Sequence, residues 1–452
     1  MTRPLRSRFV SWLFGLLACA LAPPHTAAAA DGRATVLVVT SYPPSFYEPF
    51  RAAFERREPG YRLRIVNRKT ATAMMQVTSG QFREADVFWA SAPDAFEALK
   101  AQGQLAPLDA RVDTPERAIG KFPLDDPDGH FRGFAVSGYG MLWNVSVLAQ
   151  ADVPPPEAIA DLADPRYRGL VAMSSPSRSG TTHLMVETVL QRHGWEKGWA
   201  IWLRIAGNLA TITARSYTVS SGVARARFGV GLSIDFLGRD DTSSQLRFAY
   251  PAENVFLPAS IAQLKAGREP EGARTFIRFV LSQEGQALLG HPSIRRQPLR
   301  RAAKIEDDAF AAAQAKPDAT FDAALSGRRY ELVNILFDEL ISDRLVRLQR
   351  FWRRMDRLGA LADGEPAALR EIAAIEERAL ILPDLIAAFG REPPAVELRR
   401  LPRGAPPGEP QAALLEAIRQ ASEASLASAE RAQEAALAAY EPRPAPGAMG
   451  PR

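Results

Sequence analysis

The residues best suited to chemistry lie in one stretch, Ser174-Ser175-Pro176-Ser177-Arg178-Ser179-Gly180-Thr181-Thr182-His183, where six hydroxyls, one glycine and one arginine lead into a strongly helical run. The free N–H groups at a helix start, together with the positive end of its dipole, favour a phosphate or a carboxylate. In that reading Gly180 lets the backbone approach the anion, Ser175, Ser177, Ser179, Thr181 and Thr182 supply short donors, and Arg178 supplies a bidentate fork. One hydroxyl suffices to cap a helix, so the surplus around a glycine points to an anion site and not to capping alone. Three or four hydrogen bonds to a charged ligand, at roughly 1.5–3 kcal/mol each, reach the roughly 8 kcal/mol of a micromolar receptor. No covalent step is needed to account for these residues.

Enzyme signatures are missing. The chain has no G-x-S-x-G, no H-E-x-x-H and no G-x-x-x-x-G-K-S/T, and the serine loop lacks the lysine of a nucleotide-binding loop. His25, His130, His183, His193 and His291 are scattered without metal-ligand spacing, so no metal, cofactor or catalytic role is expected. His183 directly follows the loop and either touches the ligand or faces solvent. Trp195, Trp199 and Trp202 share one helical face and read as core. Asp235 ends a buried strand and is either a ligand-facing carboxylate for a substrate amine or a hydrogen-bond acceptor at a hinge.

The elements that position the loop alternate. Thr35–Thr40, Tyr61–Val66 and Ala85–Ala90 read as strands, each followed by a helical run at Ser45–Arg57, Ala71–Thr78 and Pro93–Ala101. Such alternation implies a mostly parallel sheet covered on both faces, with ligands at the carboxyl ends of the strands, here Ser41, Thr70 and Ser91. A second block holds strand Gly169–Met173, helices from about Thr181 to His193 and from Trp195 to Ala206, and strand Gly229–Ile234. The extended run Phe248–Leu257 and a helix pair over Pro270–Leu289 return the chain to the first block. The expected fold is α/β with two lobes, residues 31–134 plus 240–300 and residues 135–239, hinged near 131–138 and 235–258.

Beyond Pro298 the composition shifts to Ala, Arg, Glu and Leu. Tyr330, Val333, Phe337, Leu340, Ile341, Leu345, Leu348, Trp352 and Met355 mark one apolar helical face, so residues 301–400 read as a helical extension. Arg344, Arg347, Arg350, Arg353, Arg354 and Arg357 read as a solvated basic face, with a docking surface as the alternative. Residues 401–452 comprise a Pro-rich linker, an Ala/Glu-rich helix over Gln411–Tyr440 and a disordered tail from Pro442. At the other end, Arg3, Arg6 and Arg8, an apolar run over Phe9–Ala22 and Ala28-Ala29-Ala30 read as a cleaved signal peptide over residues 1–30, and hence a periplasmic protein. Cys19, the single cysteine, offers lipid anchoring as the alternative, although Leu17 is atypical at such a site. With 56 Lys and Arg against 51 Asp and Glu and no basic run interleaved with aromatics, nucleic acid is not an expected partner.

Residues 35–300 resemble the periplasmic iron/phosphonate-type solute-binding proteins of ABC transporters. The resemblance rests on Leu37–Ser41, Ala85–Ser91, Gly138-Tyr139-Gly140, Leu142-Trp143-Asn144 and the Pro176–Thr182 loop. Ser175–His183, Gly207-Asn208-Leu209-Ala210-Thr211 and Arg329-Tyr330-Glu331-Leu332-Val333-Asn334 resemble a branch of the group that acts with a membrane sensor kinase in phosphoglycerate transport. The resemblance implies a two-lobed periplasmic binding protein (type II) fold. It implies capture of a small phosphorylated or phosphonate anion by a monomer, and either an ABC permease or a sensor kinase as partner. It further implies that the 177–182 loop faces the anion, with Ser41, Thr70 and Ser91 on the opposite lobe. Ferric members carry adjacent tyrosines where this chain has Asp235-Phe236-Leu237. Without both phenolates the hard oxygen ligands of ferric iron are lacking.

Overall fold

The computed structural model describes residues 32–108, 118–119, 122–238, 244–251, 256–299, 321–391, 394 and 408–440. The expected signal peptide, the linker and the C-terminal tail lie outside these residues, save Gly408 and the first residues of the last helix.

Val36, Val38 and Val39 are fully buried because their strand is covered on both faces, as central strands of α/β sheets are. That strand, β1 (Ala34–Thr40), pairs in parallel with β2 (Tyr61–Asn67) and β3 (Val87–Ala90). Three later strands complete the first sheet: β4 (Phe131–Ser137), β10 (Leu257–Gln263) and β11 (Gln297–Pro298), in the order β11-β4-β10-β3-β1-β2. Helices α1 (Pro44–Arg57), α2 (Thr70–Thr78), α3 (Pro93–Ala101), α9 (Pro270–Leu281) and α10 (Gln283–Leu288) clothe it. The second sheet runs β9-β5-β8-β6-β7, built from β5 (Tyr139–Asn144), β6 (Val171–Ser174), β7 (Leu209–Thr213), β8 (Val230–Ile234) and β9 (Leu246–Ala249). Its helices include α4 (Val145–Gln150), α5 (Gly180–His193), α6 (Trp195–Asn208), α7 (Ser216–Ala224) and the single turn α8 (Asp235–Gly238).

Two crossings join the sheets, at Gly138 between β4 and β5 and in the stretch between β9 and β10. The lobe boundaries expected at 134/135 and 239/240 therefore move. All of β4 is laddered to β10 in the first sheet, and β9 is laddered to β5 in the second. The extended run Phe248–Leu257 is correspondingly the end of one sheet and the start of the other. Hydropathy marks a strand as buried, but only its ladder decides which sheet it joins.

The apolar face over residues 330–355 forms α12 (Tyr330–Phe337), a π-helical turn (Asp338–Ser342) and α13 (Leu345–Ala362), preceded by α11 (Ala323–Arg328). Helices α14 (Pro366–Leu380), α15 (Asp384–Ala388) and α16 (Glu409–Tyr440) follow. They share one core with the second lobe, where Trp199 and Trp202 meet Phe337 and where Trp352, Ile418 and Leu426 are buried in the same cluster. Trp352 Nε1 donates to the Leu203 carbonyl at 3.0 Å, and Trp195 Nε1 to that of Ile386 at 2.9 Å. The tryptophans of α6 are thus the floor on which the extension sits. The basic face is solvated only in part: Arg347 bonds Glu423 and Glu430 and Arg354 reaches Glu434 of α16, while Arg350, Arg353 and Arg357 are exposed. Among the described residues no helix is long and apolar enough to cross a membrane.

Candidate functional site

The carboxyl ends of β1, β2 and β3 face those of β6, β7 and β8 across a cleft of about 500 Å³. From the first lobe Ser41, Tyr42, Asn67, Lys69, Thr70, Ser91 and Arg296 line it. From the second come Arg178, Ser179, Gly180, Thr181, Arg215, Ser216, Tyr217 and Phe236. Four helices, α1, α2, α5 and α7, begin at this lining, so four positive dipole ends border one cleft. Lys69, Arg178, Arg215 and Arg296 add four cations, and no aspartate, glutamate or histidine lies among the lining residues.

The expected loop is divided by the turn it makes. Ser179 is the N-cap of α5, accepting from the Thr182 N–H at 3.3 Å, and its Oγ lies 2.8 Å from that of Ser216 at the start of α7. Two helix N-termini of the second lobe are thereby tied together at the cleft wall. Arg178, Ser179, Gly180 and Thr181 face the cleft, as Ser41, Thr70 and Ser91 do from the other lobe. Ser175, Ser177 and Thr182 do not line it. Ser175 donates to Asp338 of the extension at 3.1 Å with Ser177 bonded behind it, and Thr182 is turned inward onto Ser174. A short 3₁₀ turn over Pro176–Arg178 rotates the earlier hydroxyls away from the helix start. Gly180 serves the approach of the lobes: a Cβ there would lie 2.4 Å from that of Ala92 and 3.3 Å from Thr70 Oγ1 on the first lobe.

Asp235 also lies off the cleft lining. It accepts from the N–H groups of Gly138 and Phe236, each at 2.7 Å, and from the Tyr250 hydroxyl at 3.2 Å. Gly138 and Tyr250 belong to the two crossings, so this carboxyl is the hinge acceptor and not a partner for a substrate amine. Burial pushes its pKa up to about 6 against these stabilising bonds. His183 neither reaches the cleft nor faces solvent: it is fully buried, with Nδ1 3.0 Å from Asn334 Oδ1 and Nε2 3.0 Å from Asp94 Oδ2. Burial lowers its pKa to about 3, so the ring is neutral.

The cationic residue with the most enclosed setting was not evident from the sequence. Arg296, 1% exposed, is stacked 3.9 Å from the Phe236 ring centroid, 4.7 Å from that of Tyr42 and 5.2 Å from that of Phe46. Its Nη1 donates to the Tyr42 hydroxyl at 3.4 Å, which in turn lies 2.8 Å from Ser91 Oγ, while its Nε has no partner among the described residues. The bracket is assembled from residues 254 positions apart, beyond the reach of any local pattern. Arg215 and Ser216 had a weaker signal, a polar strand end at a helix start. Arg215 Nη2 donates to Asn67 Oδ1 of the first lobe at 3.1 Å, a bond that spans the cleft.

Comparison with known proteins agrees with this architecture. The model of the bacterial extracellular solute-binding protein family matches residues 83–317. The phosphoglycerate transport regulatory protein PgtC of Salmonella typhimurium is 33% identical over 305 residues, covering 66% of this chain and 75% of the relative. The solved periplasmic binding protein AfuA from Actinobacillus pleuropneumoniae, with fructose-6-phosphate bound, superposes with a TM-score of 0.61 at 18% identity, over 68% of this chain and 98% of its own. Iron-bound HitA from Pseudomonas aeruginosa gives 0.56 at 20% identity, over 66% and 98%. Two α/β lobes closing on a polar cleft, with helices added at the C-terminal end, are therefore the periplasmic binding protein fold, and the chain belongs to the bacterial extracellular solute-binding protein family.

Proposed function

We propose that this protein captures a small anionic solute, phosphorylated or phosphonate, between its lobes and presents it to an ABC permease. The observation that carries this reading is the cleft lining: four cations and four helix N-termini with no carboxylate among them. The anion sits against Ser179, Thr181 and Ser216, where two dipoles converge, while Arg296 and Lys69 hold it from the first lobe. Differential affinity for the closed form keeps the lobes together on the captured anion. Export by the N-terminal segment with cleavage near residue 30 would place the protein where a permease can meet it. The relatives' ligands support a phosphate-bearing compound, since PgtC is named for phosphoglycerate transport and AfuA holds fructose-6-phosphate.

A second reading, a sensor whose closed form is read by a membrane kinase, is favoured by the regulatory designation of the 33%-identical relative. A thermal-shift screen of residues 31–452 against phosphoglycerates, phosphoenolpyruvate, aminoethylphosphonate, inorganic phosphate, simple carboxylates and ferric citrate tests the ligand class. Stabilisation by a phosphorylated compound is expected, because a ligand that binds only the native state raises its unfolding free energy. A response to ferric citrate alone would replace the anion reading with metal capture.

A further inference from the structure

Behind the cleft, the two lobes touch a second time, and the extension is wedged into that contact. Asp94, on α3 of the first lobe, and His183, on α5 of the second, are both fully buried with Oδ2 and Nε2 3.0 Å apart. Ser326 of α11 reaches both, 3.3 Å from His183 Nε2 and 3.5 Å from Asp94 Oδ2, and Asn334 of α12 takes the other ring nitrogen. Tyr330 is buried in the core of the first lobe and lies 4.2 Å, centroid to centroid, from the His183 ring. The extension therefore holds both lobes at once. On the first, Gly327 brings α11 so near α3 that a Cβ would lie 2.9 Å from that of Glu97. On the second, Arg329 donates to buried Glu187 at 2.8 Å and stacks 5.0 Å from the Trp195 ring.

From this placement we infer that residues 323–337 are an interlobe clasp: Ser326, Tyr330 and Asn334 position the start of α5 against the first lobe, and the cleft opens only when the clasp lets go of one lobe. A neutral imidazole satisfies the bonds if Asp94 is protonated and donates to Nε2 while Nδ1–H donates to the Asn334 carbonyl oxygen. Burial, with Glu187 nearby, raises the Asp94 pKa well above the ordinary carboxylate range, in keeping with that arrangement. Opening would hydrate both groups and strand the extension's polar side chains, so closure and seating of the extension become one event. His183 lies one turn along α5 from the Ser179 cap, so the clasp acts directly on the anion-binding end of the helix.

The test uses the full chain from residue 31 with spin labels on cysteines introduced at exposed Arg62 and Arg225, one on each lobe; Cys19, the single native cysteine, lies outside it. Without ligand, the parent should give a dominant short interlobe distance. The Ser326→Ala/Asn334→Ala pair should add a longer population and weaken 3-phosphoglycerate binding at least about tenfold. Gly327→Val, which pries α11 off α3 while leaving every side chain of the polar network chemically intact, should do the same. Distances unchanged in both variants, whether or not the melting temperature falls, would overturn the clasp and leave these residues structural. The distance measurement needs no ligand, so it stands apart from the proposal about the solute, which fails separately if the parent ignores 3-phosphoglycerate.

Discussion

Single residues decide how the cleft and its hinge behave. Ser179, Thr181 and Gly180 were legible because hydroxyls crowded around a glycine at a helix start have few other uses. Ser175, Ser177 and Thr182 carry the same hydroxyls yet face elsewhere, because a 3₁₀ turn not evident in the sequence sets their direction, whereas Asp235 is drawn to the crossing at Gly138, the hinge-acceptor alternative that the sequence offers. Asp235 makes a testable contribution to stability. Its pKa is raised from 3.8 to about 6 in the folded protein, so the folded state binds the extra proton. The stability this group contributes is fully present below the unfolded value and is lost as pH rises through about 6. The stability of the parent relative to Asp235→Asn should therefore increase as pH falls from neutral toward 4, followed by urea unfolding at each pH. A difference that is flat across that window would mean the carboxyl is already ionised without penalty.

Among the elements, periodicity located most helices and strands to within a residue or two, since burial on one or both faces writes itself into hydropathy. The long apolar face over residues 330–355 was legible as helical, but the π-helical turn that divides it was not. Nor was the pairing of α13 with α16, because complementary charges some 80 positions apart, such as Arg347 with Glu430 and Arg354 with Glu434, have no local signature. The seat of α13 on α6 is set by Gly207, where a Cβ would lie 2.3 Å from Trp352 Cδ1. Gly207→Val should displace Trp352 and destabilise the protein by about 1–3 kcal/mol, the ordinary cost of overpacking. Chemical denaturation with tryptophan fluorescence reports both effects, and an unchanged midpoint would show that α13 packs independently of this glycine.

At the scale of the whole molecule, the two-lobed fold followed from alternation of strands and helices, and the similarity to solute-binding proteins agrees with it. The crossings at Gly138 and between β9 and β10 fall within the ranges expected for them, but the lobe boundaries expected at 134/135 and 239/240 lie too early, because the strands on either side of a crossing look alike in sequence. The electrostatic design of the cleft emerges only from assembly: Lys69, Arg178, Arg215 and Arg296 are dispersed along the chain, yet they converge with four helix N-termini around one cavity. The distribution of these cations over both lobes suits a ligand that is engaged from both sides and thereby holds the lobes together. Gly180 is a point where the lobes meet at the cleft, since a Cβ there would lie 2.4 Å from that of Ala92, so the proposed closure is sensitive to its size.

The most direct test of this account is titration calorimetry of residues 31–452 with 3-phosphoglycerate, for the parent and for Gly180→Val. The account predicts a dissociation constant near micromolar for the parent, roughly 8 kcal/mol of binding. It predicts at least about a tenfold weakening in the variant, whose valine would collide with Ala92 as the lobes close. Equal affinity in the two proteins, or no heat from the parent with 3-phosphoglycerate, inorganic phosphate or aminoethylphosphonate, would contradict anion capture by closure of this cleft.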